Sequence, residues 1–443
     1  MFEIAPPIVG LLGIVLLLVM ICARFPVPLA LCIVSIGGLA YLIGWGPATS
    51  VIAGVPYEFA ASWEMSAIPM FLLMGTMAYH SGMTTELYSV ARIWMRSFPG
   101  GLAIASNFAC AGFSAASGSS TATTVAMGRI AVPEMLKAGY EKGLATGVVA
   151  SAGALGSLIP PSVLLIIYGI FAGQSVSALF LAGILPGILT AFVYAMMIVI
   201  RCRLNPDLAP VQTNEATLSE KISALGRIWP LPLLVLGVIG SIYGGVATPT
   251  EAGALGVALV LVVALLQRQL TLAKLLASIS EALLSTATIF FVAISAVLLT
   301  RFLVFSGLPD LLTSLVEYWS LSLLWLIVLT TLIYIVLGTF LEPVGLVLIT
   351  LPVLLPVFQT HDVNLIWFGI MVVKYVEIGL VTPPVGMNVF ALKSVLGDSV
   401  RLDDMFRGVA WFIVCELVIV ALLVAFPQIA LAIPGIEWLP KYF

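Results

Sequence analysis

Ile159-Pro160-Pro161-Ser162 lies inside a long apolar run, and Thr382-Pro383-Pro384-Val385 lies inside another, 223 positions later. A proline pair within a span removes backbone donors and leaves carbonyls without helical partners. Read outward, the two stretches carry further landmarks in the same order. Pro133 matches Pro356 and Pro26 matches Pro249, both at 223. Gly173-Gln174-Ser175-Val176 matches Gly397-Asp398-Ser399-Val400 at 224. Ser81-Gly82-Met83 matches Ser306-Gly307-Leu308, and Trp94 matches Trp319, at 225. Six ordered matches drifting by two residues mark an internal duplication. The chain divides into repeat 1 (1–204), a polar linker (205–227) expected on the cytoplasmic side, and repeat 2 (228–443).

Composition sets the solvent. Of 443 residues 61% are hydrophobic and 9% charged, with mean hydropathy +1.19. A soluble domain carries about 25% charged residues, so a water-soluble enzyme is excluded. The net charge of −3 excludes a basic nucleic-acid surface. Cys22, Cys32, Cys110, Cys202 and Cys415 form no CxxC pair and read as free thiols, and His80 and His361 build no zinc site with them. No basic region precedes the first apolar run, so residues 5–23 read as a retained span rather than a signal peptide.

Apolar runs fall near 5–23, 27–46, 64–80, 143–173 and 178–200, then near 229–245, 251–267, 284–305, 364–396 and 408–431. The broken helices are 143–173 and 364–396. Between the third and fourth runs of each half lies a region interrupted at its middle, 100–137 at Ser117-Gly118-Ser119-Ser120 and 321–358 at Gly338 to Pro343. Each reads as a re-entrant hairpin. Five crossings per half is odd, so the second half inserts inverted. With both termini periplasmic, 15 of the 18 lysines and arginines fall on the cytoplasmic side, as the positive-inside rule requires. Lys441 falls outside, and Arg301 and Lys374 fall within spans. The expected fold is an all-α integral membrane protein of two inverted-topology repeats, with about ten transmembrane spans, two re-entrant hairpins and two discontinuous helices. Segments 47–61 and 270–283 read as amphipathic helices lying in the membrane interface.

Irregular backbone at membrane depth is tolerated only inside protein or beside a water-filled cavity. Ser157–Ser162 and Val381–Gly386 are therefore expected to line a site, the bland alternative being two packed kinks. Freed carbonyls are hard ligands for a cation such as Na⁺, and the half-helix starting near Ser162 offers its positive end to an anion. The first hairpin tip, Phe113 to Thr124, holds seven hydroxyl residues beside Gly118; they can coordinate a cation or bond a carboxylate, or form a small-residue seam of the kind Gly147, Gly153 and Gly156 suggest. In the second tip Glu342 aligns with Ser119. It can bind a cation, carry a proton, or cap the helix beginning at Pro343. Lys374 and Glu377, three apart, read as a mutually neutralising pair, Arg301 as a snorkelling or paired cation, and Glu251 as a first-turn acid.

Ser117-Gly-Ser-Ser120, Pro133-Glu-Met135, Gly139-Tyr140, Leu155-Gly-Ser-Leu-Ile-Pro-Pro-Ser162 and Tyr168-Gly169 resemble the large membrane subunit of tripartite ATP-independent periplasmic (TRAP) transporters. Glu342-Pro343 and Gly379-Leu-Val-Thr-Pro-Pro-Val-Gly-Met-Asn388 resemble its second half. The resemblance spans nearly the whole chain, although the family more often carries Asp where Glu342 stands. It implies a secondary transporter of the bacterial or archaeal inner membrane, driven by a sodium gradient and moving its transport domain as an elevator. A periplasmic binding protein would deliver an organic acid, such as a dicarboxylate, a sialic acid or another sugar or keto acid. A small four-helix membrane subunit would be a separate chain.

On this reading one Na⁺ sits between Ser117, Gly118, Ser119 and the backbone around Gly156 and Ile159. A second sits between Gly338 or Thr339, beside Glu342, and the backbone around Thr382 and Gly386. The substrate faces Ser120, Thr121, Ser162 and Asn388, with Pro161 and Pro384 shaping the site. No organic cofactor is expected. An ATP-driven pump lacks its GxxxxGKS/T loop, and a membrane enzyme its HExxH or GxSxG. Two occluding hairpins argue against a channel. A stand-alone Na⁺/anion symporter is the alternative.

Overall fold

The computed structural model describes residues 5–210 and 217–440. Lys441, used in the charge count, and linker residues 211–216 lie outside the described residues. The regular structure described is helical throughout. The first half contains α1 (Pro6–Cys22), α2 (Val27–Ile43), α3 (Trp45–Ala60), α4 (Ala67–His80) and α5 (Met83–Met95), then α6 (Gly101–Ser117), α7 (Ser120–Lys137), α8 (Lys142–Ala154), α9 (Val163–Ala172) and α10 (Val176–Leu204). Next come α11 (Leu218–Leu225), α12 (Pro230–Tyr243), α13 (Pro249–Leu266), α14 (Leu272–Ser306) and α15 (Leu308–Tyr318). The chain continues with α16 (Leu323–Gly338), α17 (Pro343–Gln359), α18 (Leu365–Val381), α19 (Met387–Leu396) and α20 (Leu402–Ala425).

Local chemistry explains the boundaries. Proline, which lacks the donor a first turn cannot use, occupies the first or second helical position of α1, α2, α12, α13, α15 and α17. Thr248 and Glu251 close a capping box on α13, the first-turn role expected of that acid. Ser81, just past α4, and Ser306, the last residue of α14, are each followed by a left-handed glycine, Gly82 and Gly307, after which the amphipathic α5 and α15 begin.

One expectation is overturned. Segment 270–283 is not a separate interfacial helix but the first part of α14, a continuous 35-residue helix. The first half breaks at the corresponding place, between α3 and α4. Pro69 stands in the first turn of α4, where its missing donor favours a helix start; 223 positions on stands Val292, and α14 contains neither Gly nor Pro.

Among the described residues four helices are at least 18 residues long and apolar enough to cross a membrane: α10, α13, α14 and α20. α11 and α12 form a further bent pair, turned by 49°. The other apolar helices have 10 to 17 residues. Two of them, α9 in the first broken helix and α17 in the second hairpin, sit where the chain is interrupted and backbone is left free. Burial is continuous in the arms before the two proline breaks: every residue of α8 from Gly143 onward and every residue of α18 from Ile366 onward is buried. α1, α12 and α16 instead expose leucine and isoleucine on their outer faces. Gly147 of α8 meets Gly408 of α20 so closely that an added Cβ would stand 2.6 Å from a backbone carbon, the small-residue seam expected of it.

Candidate functional site

The first hairpin turns at Gly118, whose positive φ of 60° is open to glycine at little cost. Ser119 then caps α7 by accepting from the Ala122 amide. Ser117 Oγ lies 2.7 Å from Thr123 Oγ1, binding the two arms. This tip is seated on the first break. The Val163 amide donates to the Gly118 carbonyl at 3.2 Å. A Cβ added to Gly156 would stand 2.5 Å from the Ser119 carbonyl oxygen. Beyond the break Ser162 caps α9, accepting from the Leu165 amide and donating to the Ser157 carbonyl. The Pro160–Pro161 bond is cis, as is Pro383–Pro384.

The second hairpin repeats the scheme with different chemistry. Glu342 caps α17, its carboxylate accepting from the Gly345 amide at 3.0 Å. Of the three roles open to it, the cap is the one its contacts display, and it matches Ser119 at the equivalent position. Gly338 crosses Gly379 of α18 almost backbone to backbone, an added Cβ standing 2.9 Å from the Gly379 Cα. Thr339 and Thr382 turn their hydroxyls onto their own helices, to Val336 and Ile378. Gly386, at φ 62°, opens α19 without a side-chain cap and packs against Phe406.

A cavity of about 330 Å³ lies between the tips. Gly118, Ser119, Ser120, Thr121, Ser157 and Glu342 line it, so the structure brings these sequence-selected residues together. The opposite wall is α14, through Ser285 and Thr288. A second cavity of about 270 Å³ shares Leu72, Ser119, Thr121 and Ser285 and reaches Ser117, Tyr79 and Glu281. Beside it Glu281 pairs with His80 at 3.1 Å. Ser120 and Thr121 open α7, Val163 and Leu164 open α9, and Pro343 and Val344 open α17. Three helix N-termini thus contribute first-turn residues to one cavity, an arrangement that can present backbone amides to an anion, beside the Glu342 carboxylate.

Other selected residues lie elsewhere. Ile159 and Pro160 line a separate apolar cavity of about 500 Å³ between α6, α10 and α12. Pro161, Ser162 and Gly156 are buried behind the first tip, while Pro384 is exposed. Gly338, Thr339, Thr382 and Gly386 line neither cavity between the hairpins. Asn388 is fully buried away from the cavity and donates to the Ala150 carbonyl of α8 at 3.1 Å. That bond ties the residues after the second break to α8 about one turn before the first. α9 in turn packs on α18, with the Tyr168 hydroxyl donating to the Leu365 carbonyl at 2.6 Å.

Sequence reading missed the α14 wall. Its signal was Ser285 and Thr288, hydroxyls three apart in a run read only as a span. It also missed Glu416. Lys374 does pair with Glu377 at 2.6 Å, but Glu416 of α20 lies equally close. Arg301 is exposed on α14.

This architecture defines a multi-pass membrane protein with paired helical hairpins meeting at a polar cavity. Residues 14–429 match the family described as the DctM component of the tripartite ATP-independent periplasmic transporter, and the chain belongs to that family. It is similar to the C4-dicarboxylate TRAP transporter large permease protein of Pseudomonas aeruginosa, 33% identical over 384 residues, covering 86% of this chain and 88% of that one. It is also similar to the isethionate TRAP transporter permease of Oleidesulfovibrio alaskensis, 30% identical over 420 residues, 92% of this chain and 64% of that one. In fold it resembles the Alcanivorax borkumensis YdaH transporter, with a TM-score of 0.63 at 14% identity over 87% of this chain and 90% of that one.

Proposed function

We propose that this chain is the large permease of a Na⁺-coupled importer that moves an organic anion through the cavity between its two hairpin tips. The observation that carries the reading is the convergence of three helix N-termini on that cavity, lined by the hydroxyls of Ser119, Ser120 and Thr121. The two relatives described above are named for a C4-dicarboxylate and for isethionate, both anions. The substrate class proposed is an organic acid anion, a carboxylate as in the first of these relatives, delivered by a periplasmic binding protein. A separate small membrane subunit would support the chain in the bacterial inner membrane, with both termini periplasmic. That orientation follows from the lysines and arginines, 15 of 18 of which then face the cytoplasm.

Na⁺ is assigned to the first tip, where Ser117, Gly118 and Ser119 meet the backbone at Gly156. The donors there are all hard oxygens, the chemistry a small alkali cation takes. A second ion is assigned between Gly338 or Thr339 and the backbone at Thr382 and Gly386. Each inward positive charge gains about 2.3 kcal/mol per 100 mV, so two ions can drive accumulation of an anion without nucleotide. Hairpins and broken helices would move together as an elevator against α2, α4, α13 and α14, which pack on one another. The test is uptake in proteoliposomes holding this chain, the small subunit and the binding protein, screened over organic acids with and without a Na⁺ gradient. Uptake indifferent to Na⁺ for every acid overturns the coupling; non-saturating flux would point to a channel instead.

A further inference from the structure

Lys374 lies near the middle of α18, with no exposure to solvent. Three oxygens surround its Nζ: Glu377 Oε2 and Glu416 Oε2, each at 2.6 Å, and Thr190 Oγ1 at 3.1 Å. The Tyr194 hydroxyl donates to Glu416 Oε1. Glu377 and Glu416 are each 1% exposed. An ammonium with three donors is thereby satisfied, and Glu416 is engaged at both oxygens. Within the cluster Glu377 Oε1 is buried with neither a hydrogen bond nor an ion pair, while Glu416 Oε2 is held by its ion pair to Lys374 alone.

The charges do not balance. Two carboxylates face one ammonium, and no other cation among the described residues lies within ion-pair distance of either. α10 contributes Thr190 and Tyr194, and α20 contributes Glu416 and the Cys415 thiol beside it. Arg201 of α10 stacks on Trp411, 4.9 Å from the ring centre. α9 and α16 bring Tyr168 and Tyr334, which serve the Leu365 carbonyl and Thr350. α17 carries no titratable side chain, while α8 and α19 carry only Lys142, at the start of α8, and Lys393, which serves the Gly397 and Val400 carbonyls. An uncompensated anion in so dry a place is strongly disfavoured, and a carboxyl group avoids it by taking a proton.

We propose that this cluster is a proton-binding site, with Glu377 held as the neutral acid and the proton on Oε1. Binding transfers a proton from hydronium to the carboxylate oxygen, forms one O–H bond and releases water. The cluster passes from a net charge of −1 to zero, and Lys374 keeps its three contacts. The site joins α10, α18 and α20 and is separate from both hairpin tips, so it stands whether or not sodium binds where proposed.

The experiment is infrared spectroscopy of the purified chain with its small subunit, in H₂O and D₂O at neutral pH. The wild type should show a carboxylic-acid carbonyl band that shifts downward in D₂O. Glu377→Gln should remove it. Glu416→Gln should remove it too, because one carboxylate then balances one ammonium. Glu342→Gln should leave it. Absence of the band from the wild type overturns the proposal, a test that needs no variant. So does its persistence in either cluster variant, or its loss in Glu342→Gln alone.

Discussion

Substituting Gly156 by Ala probes the contact on which the first proposed ion site depends. The new Cβ would lie 2.5 Å from the Ser119 carbonyl oxygen, 2.6 Å from its carbon and 2.8 Å from the Ser120 nitrogen. Ordinary contact begins at 3.4 Å, so tip and broken helix must part by about 0.9 Å (3.4 − 2.5). All three atoms are backbone, so no rotamer change relieves the clash. Overpacking of this kind costs about 1–3 kcal/mol. Metal-site distances hold only within about 0.2 Å, so the displacement should disable the Na⁺ site even where the fold survives. The assay is thermal unfolding of the purified complex in NaCl against KCl at equal ionic strength. If the proposed ion binds, sodium at 100 times its dissociation constant should stabilise the wild type by about 2.7 kcal/mol. Gly156→Ala should unfold at the same temperature in both salts. Gly147→Ala is the control: its Cβ strikes Gly408 backbone at 2.6 Å, away from the tip. It should unfold earlier in both salts yet keep the sodium increment. A full sodium increment in Gly156→Ala refutes the placement of the ion at this contact.

Other expectations are simpler. Ser117→Ala should raise the Na⁺ concentration for half-maximal uptake about tenfold, the equivalent of about 1.4 kcal/mol; unchanged sodium dependence sinks the assignment of the first ion. Glu342→Ala should lose the α17 cap and about 1 kcal/mol of stability, whereas Glu342→Gln, which keeps an acceptor for the Gly345 amide, should unfold near the wild-type temperature. Tyr194→Phe deletes the donor to Glu416 and should cost about 1.5–3 kcal/mol in thermal unfolding, with the sodium increment intact.

The landmarks legible in the sequence were those with local causes. Prolines, left-handed glycines and capping residues act on their own turns, so the break before Ser162, the turn at Gly118 and the cap at Glu342 fall where the residues put them. The apolar runs fixed the all-helical class, since in hydrocarbon a helix satisfies its own backbone. Even the failure at 270–283 has a local reason: α14 lacks the proline that starts α4, and amphipathic patterning alone does not stop a helix.

Relations between distant residues were another matter. Ser285 and Thr288 look like any hydroxyls bonded back along a helix until α14 is seen forming the wall opposite the first tip. Asn388, chosen for its place beside the second break, turns to α8 because packing rather than spacing decides which face it presents. Lys374 and Glu377 suggested a closed pair because a helix puts them together; only the approach of α20 adds a second carboxylate. Sequence periodicity encodes what each segment is and which side of it is apolar. Which charge meets which across α10, α18 and α20 is set by how the helices cross, and that crossing leaves Glu377 with an oxygen no protein donor reaches.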